Sequence, residues 1–387
     1  MERMAEATCK PGVGESGAPH QAEHAGGVTI SCYENNIPAF VDAELERLYG
    51  SIFSSLVHFR IYGGPLKDIH TYVVRRGMVI LTLLIFRREK SRVQVINEVI
   101  WLDEAEIRQF ASYVFATYRT THVISFKAIR TQIHDLAFPC QMFNALEDIV
   151  LTLPGSAQEY LASLGKNTRR NIRRYMEKTK RAFPQFSFQV FEKGDVSEQQ
   201  IRDIIDLNRA RMADKNKSSL IDEEETRRII SLTRQCGLVG VAMIDGRVCA
   251  GALSYRVGSN YFLSILAHDP ACDEFWMGIL CCYLTVCECI ARGGKEFHFL
   301  WGRYEYKFTL LAVQRDLSNL AVYRSLARQV MHGDLVLKMA LGGYRRQASL
   351  RLHDAMRRDN ALARLALGAL HFGRRLRRPH RGQTTDA

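Results

Sequence analysis

ATYRTTHVISFKAI (116–129) and CIARGGKEFHFLWG (289–302) read as one pattern written twice. Each opens as the last turn of a helix, crosses a short polar or glycine turn, and becomes an apolar strand. The residues before them repeat as well. HTYVVRRGMVILTLLIFRR (70–88) and VQVINEVIWL (93–102), rich in Val, Ile and Leu, lead into EAEIRQFASYVFATYRT (104–120), which has helical spacing. CGLVGVAMIDGRVCAGALSYRV (236–257) is two apolar runs around Asp245-Gly246, a strong hairpin signal. SNYFLSILAH (259–268) follows as a strand, and EFWMGILCCYLTVCECIAR (274–292) as a helix apolar on nearly every side. Hairpin, strand, helix, strand occurs in both halves. The sequence therefore predicts an α/β (α+β) chain of two copies of one module, side by side. The second copy is expected to have its own sheet from 240–268 and 296–301.

The boundaries follow from composition. Residues 1–27 lack an apolar core segment and are expected as a disordered leader rather than a secretory signal. The modules are expected at 28–150 and 151–325, with helices at 38–50 and 197–215 and strands at 149–153 and 186–191. Residues 326–387 are expected as a basic helical tail. From Arg324 onward there are fourteen Lys or Arg against four Asp, so the tail holds most of the net charge of +12. It can dock on the protein or lie on an anionic membrane surface. The longest apolar run, VILTLLIF (79–86), is far too short to span a bilayer. A cytoplasmic, soluble chain is the expectation, with membrane association through the tail as the variant. Ten cysteines form no paired framework and suit buried thiols, with no metal site.

Between the copies lies SLGKNTRRNIRRYMEKTKR (163–181), eight Lys or Arg against one Glu. Lys166, Arg169, Arg170, Arg173 and Arg174 stand three and four apart, so most share a helix face. Ile172 and Met176 supply a short apolar seam. The run lacks the interleaved aromatics of nucleic-acid stacking platforms, which argues against RNA. A solvated face and an anion-binding face remain open.

Two motifs carry a resemblance over about 145–325. One is the basic helix followed by FSFQVF (186–191). The other is FHFLWGRYEYKFTL (297–310), with Gly302, Tyr306 and Lys307 at the family spacing. Together they resemble GNAT-type acyltransferases of the cellulose-biosynthesis group, relatives of the Fem aminoacyltransferases that also carry two GNAT-like modules. The resemblance implies tandem GNAT modules and an acyl-CoA co-substrate, acetyl-CoA first, with no permanently bound cofactor. It also implies a thioester held in a splay between two parallel strands. Leu266, Ala267, His268, Trp276, Met277 and Gly278 would hold that donor at a helix start. Asp273 and Glu274 are expected to cap this helix and to repel phosphate. The lysine of the motif nominates Lys307 as an electrostatic stabiliser, expected as a cleft lysine that adds little to folding. Tyr306 would donate to the leaving thiolate. His298 reads either as a base or as a hydrogen-bonded core histidine. Arg169, Arg170, Arg173 and Arg174 are expected to bind an anionic or sugar-linked acceptor. The implied activity is acyl transfer to an amine or hydroxyl of a cell-envelope or exopolysaccharide-related acceptor. The alternatives are a Fem-like transferase drawing on aminoacyl-tRNA and a catalytically degenerate GNAT scaffold.

Overall fold

A computed structural model describes residues 20–24, 27–63, 68–214 and 219–357. The first module contains β1 (His20–His24), β2 (Val28–Tyr33), α1 (Val41–Tyr49), α2 (Leu56–Tyr62), β3 (Ile69–Arg76) and β4 (Val79–Glu89). It continues with β5 (Arg92–Val95), α3 (Glu104–Thr117) and β6 (Val123–Ile129), and β7 (Cys140–Thr152) then leads out of it. The second module has α4 (Ala157–Ser163), α5 (Lys166–Ala182), β8 (Ser187–Glu192), α6 (Glu198–Asp214), α7 (Glu223–Cys236) and β9 (Gly237–Ile244). After these come β10 (Arg247–Val257), β11 (Asn260–His268), α8 (Met277–Ala291), β12 (Glu296–His298) and α9 (Glu305–Thr309). The described chain closes with β13 (Val313–Tyr323), α10 (Leu326–Met331) and α11 (Gly333–Arg357).

The repeat is real at the level of register. In the first module β5 and β6 run parallel over three rungs, Arg92 to Val123 through Gln94 to Ser125. In the second, β11 and β12 run parallel over three rungs, Asn260 to Glu296 through Phe262 to His298. Val123 and Glu296 are matched positions of the two quoted stretches, so both parallel pairs start at the same point of the repeat. Each pair is joined by its helix, α3 or α8. The Asp245-Gly246 hairpin also forms, with both residues at positive φ, the conformation that this dipeptide accommodates.

The modules do not keep separate sheets. Thirteen strands form one sheet in the order β1-β2-β3-β4-β5-β6-β13-β7-β12-β11-β10-β9-β8. The cause is a strand exchange. β7 leaves the first module and pairs with β12 of the second. β13 leaves the second module and pairs with β6 of the first. The two exchanged strands pair with each other, from Val313 with Val150 to Val322 with Cys140. That ladder closes what would be two sheet edges, each a row of unpaired backbone groups.

Each face of the second module's sheet has its own core. One face buries Phe297, Phe299 and Ile172 with α8, α4 and α5. The other buries Phe262, Leu300 and Tyr255 with α6 and α7. α8 is buried at ten of its fifteen positions, as its all-round apolar sequence requires. Burial raises the pKa of its thiols, that of Cys282 to about 12. The nine described cysteines are free, and no metal-holding cluster occurs among the described residues. α5 starts after Gly165 and stops at Phe183, held out of the helical region by Pro184. The leader expected at 1–27 lies outside the described residues except for residues 20–24 and 27; His20–His24 pairs with β2 as an edge strand instead. The tail beyond Arg357 also lies outside them.

Candidate acyl-transfer site

Strand alternation places His298 on the face opposite Phe297 and Phe299. There its ring stacks on Phe262 at 4.3 Å. Its Nδ1 lies 2.7 Å from Oδ2 of Asp148, and its Nε2 lies 3.3 Å from a carboxylate oxygen of Glu296 without hydrogen-bond alignment. Glu296 is gripped from the other side by both guanidinium nitrogens of Arg315, at 2.9 and 2.5 Å. Burial works against charge on His298, but the Asp148 and Glu296 carboxylates outweigh it and raise its pKa. Glu296 is held down to about 2 by its contact with His298, against burial and with help from Arg315. With Nδ1–H donating to Asp148, Nε2 is the atom left to accept a proton.

This cluster lines a cavity of about 290 Å³ between the two modules, walled by Tyr49, Trp101 and Arg130 from the first and Asn260, Phe262 and Glu296 from the second. A wider cleft of about 1000 Å³ shares Leu48, Tyr49, Gly50, Asn260 and Glu296 with it and runs out past Gly293 and Gly294. His298 is thus a buried, hydrogen-bonded histidine, and it faces a cavity.

Past His298 the strand leaves regular pairing with β11. Leu300 has φ +56° and Gly302 φ +89°. Lys307 closes this end. It is 2% exposed, and its Nζ donates to the carbonyls of Phe299, Leu300 and Trp301 at 2.8, 3.2 and 2.7 Å. All three of its hydrogens are therefore committed. This corrects the expectation of a cleft lysine with little part in folding: the ammonium is a buried clamp on the strand end. It can influence an oxyanion through its field, not by a spare hydrogen bond. Burial pulls its pKa down to about 8, while Asp148 and the three carbonyls favour the charged form. Tyr306 packs edge-on against Phe299, and burial raises its pKa, so the phenol stays protonated. Glu147, beside Asp148, accepts from the Gly302 N–H at 3.3 Å and is paired with Arg346 of α11.

The six residues expected to hold the donor come together where β11 ends and α8 begins. Ala267, Met277 and Gly278 are buried there, and Leu266, His268 and Trp276 are half-buried. Asp273 and Glu274 do not cap α8. They sit in a 3-10 turn, Pro270–Phe275, and Trp276 precedes the helix with φ +59°. Both acids are paired: Asp273 with His268 Nε2 at 2.6 Å, and Glu274 with Lys178 Nζ at 2.6 Å. The Lys178 ammonium offsets the repulsion of phosphate expected from Glu274.

The arginines fall differently from the expectation. Ile172 of α5 packs in the α8-side core, so α5 lies on the face away from the His298 cavity. Arg169 is used within the protein, donating to the Ala162 carbonyl at 2.7 Å. Arg170, Arg173 and Arg174 are exposed, and Arg170 and Arg173 have no hydrogen-bond or ion-pair partner among the described residues. They line an outward groove with Lys166. Acceptor binding beside His298 is excluded for them by the sheet between. Sequence reasoning missed Asp148, Glu296 and Arg315. Asp148 and Arg315 stand in stretches that look like loop, Glu296 opens a strand already expected, and only pairing across the modules brings the three together.

The fold and site define a two-module, GNAT-like α/β protein. The family model described as an acetyltransferase (GNAT) domain matches residues 166–308, from α5 through Phe308 in α9. It supports an acyltransferase. No curated protein matches the chain. Among solved structures, FemX is similar over 74% of this chain and 96% of its own, at 8% identity and a TM-score of 0.55. L-PGS from Bacillus licheniformis aligns over 80% and 98%, at 15% identity and a TM-score of 0.46. A tandem GNAT protein from the clavulanic acid biosynthesis pathway aligns over 66% and 83%, at 8% identity and a TM-score of 0.33. The FemX likeness is one of fold.

Proposed function

We propose that the chain transfers an acyl group from acyl-CoA to an amine or hydroxyl acceptor, with an envelope or exopolysaccharide-related molecule as the acceptor class. The last part rests on the two sequence motifs alone. The observation that carries the chemistry is His298, held by Asp148 at 2.7 Å and facing the inter-module cavity. In this reading the acceptor enters by the wider cleft. His298 Nε2 takes its proton as the new bond to the acyl carbon forms, and Asp148 stabilises the imidazolium. The carbon–sulfur bond breaks, the Tyr306 phenol donates a hydrogen bond to the departing thiolate, and the proton held by His298 passes to solvent as the thiolate leaves. Lys307 favours the oxyanion electrostatically.

The donor's phosphates belong on the α8 face, and in this reading its thioester passes between β11 and β12, beyond their last rung Phe262–His298, to meet His298 on the other face. The exposed arginines of α5 suit those phosphates. The same stripe suits the phosphates of an aminoacyl-tRNA, which keeps the Fem-like reading as the second one.

The test is release of free thiol from acetyl-CoA and longer acyl-CoAs, beside release of amino acid from aminoacyl-tRNA, with amine and hydroxyl acceptors. Thermal stabilisation by each donor is measured in parallel. A donor at about 100 times its Kd adds roughly 2.7 kcal/mol. Asp148→Asn should lower turnover with acyl-CoA by on the order of 100-fold and leave donor stabilisation intact. Turnover only with aminoacyl-tRNA would transfer the reading to the Fem-like class. Neither stabilisation nor turnover with any donor would leave the degenerate scaffold.

A further inference from the structure

α11 is apolar on two opposite faces, and one fold cannot use both. Leu335, Val336 and Met339 pack on Val123, Ala321 and Tyr323 of the sheet. Arg346 reaches in from the same helix to Glu147. Those contacts fix its orientation. Leu337, Leu341 and Tyr344, spaced four and three apart, then form a stripe on the outside, 60%, 44% and 71% exposed. α10 adds Leu326, Val330 and Met331, at 69%, 80% and 64%. Six large apolar side chains left in water on two consecutive helices call for an occupant.

The stripe opens into a groove of about 790 Å³ between α11 and the first module's sheet. Its floor is Ser125, Asn319 and Phe143, and its rim carries Lys127, Lys338 and Arg345; Phe126 and Leu320 border it, with their side chains buried in the core on the sheet's other face. All three rim cations are exposed, and Lys338 and Arg345 have no ion-pair partner among the described residues. Asp334, at one end, is paired with Arg92 at 3.5 Å. The position in the repeat is telling. The groove takes in the last parallel rung of the first module, Gln94 with Ser125, as the inter-module cavity takes in Phe262 with His298. Ser125 stands where the second module has its histidine. Where the second module's cavity is ionic, the first module's is apolar with a cationic rim.

We propose that the outer face of α10 and α11, with this groove, docks on an anionic membrane surface and takes an acyl chain of an anionic phospholipid. Apolar side chains flanked by Lys and Arg match the boundary between acyl chains and negative headgroups. The chain's own continuation is the poorer occupant. Residues 358–387 hold seven Arg against two Asp, so that segment and the cationic rim repel each other, and both are drawn to an anionic surface. Among the described residues no helix can cross a membrane, so the contact is peripheral. This inference does not depend on the acyl-transfer reading.

The test is co-sedimentation of the full chain with vesicles of phosphatidylcholine alone or of phosphatidylcholine mixed with phosphatidylglycerol. Binding is expected to the mixed vesicles only. Leu337→Ser with Leu341→Ser should weaken it by on the order of tenfold, and so should Lys338→Gln with Arg345→Gln. Both pairs are exposed, so melting temperatures should match the parent. Undiminished binding by the leucine pair overturns the proposal, since the arginines beyond Arg357 would then account for it. Equal binding to neutral vesicles overturns the anionic part. A lower melting temperature with vesicle binding retained also overturns it, because the stripe would then be covered by the chain itself.

Discussion

Replacing Lys307 with Met keeps most of the side chain's length and removes its three donors. The carbonyls of Phe299, Leu300 and Trp301 lose those partners in a site with almost no exposure. A buried acceptor left unpaired costs about 1–3 kcal/mol, so three cost roughly 6 kcal/mol. Removing the charge recovers part of that. A pKa drawn down to about 8 by burial corresponds to roughly 3 kcal/mol of disfavoured charge. The balance is a loss of roughly 3 kcal/mol, or roughly 3–5 °C in Tm for a chain of this size. Calorimetry and far-UV circular dichroism on the parent, Lys307→Met and the exposed control Lys338→Met would measure it. Turnover, assayed well below both transitions, should fall by on the order of 100-fold while donor affinity holds. A Tm within about 2 °C of the parent would refute the carbonyl clamp. Full turnover at an unchanged fold would remove Lys307 from the transfer site.

The ionic cluster sets the pH dependence. His298 has a raised folded pKa, so its stabilising contribution is complete below the unfolded value of about 6.5 and disappears as pH rises through the folded one. His298→Gln should flatten that limb in a denaturant titration across neutral pH, and a limb that persists would assign it to another group. Glu296 has the opposite sign. Its contribution is present above about 4.5 and is lost as pH falls toward about 2, so Glu296→Gln should reduce acid sensitivity in that window. On α5, Arg170→Ala with Arg174→Ala should raise the KM for a phosphate-bearing donor and weaken its salt dependence, with acceptor KM unchanged. A shift in acceptor KM alone would contradict the placement of α5 on the donor face.

The sequence by itself determined the repeat. Hairpin, strand, helix and strand are local objects, written in apolar spacing and in Asp245-Gly246, and the two quoted stretches match in the register of their parallel pairs. It also determined the buried character of α8 and the basic face of α5. What it left unread are the two strands at the centre of the sheet. β7 was legible only at its apolar end, 149–153, and β13 not at all. QMFNALED (141–148) and VQRDLSN (313–319) are too polar to read as central strands. Yet their register sets Arg315 opposite Asp148, beside Glu296 and His298. A charged side chain in a central strand is tolerable only when its counter-charge arrives from elsewhere. Here the partners come from strands exchanged between the modules, with 150 residues separating Asp148 from His298. Apolar patterning reports what a segment does with water, which is local. Charge compensation in the core depends on which segments meet, and only the tertiary structure decides that.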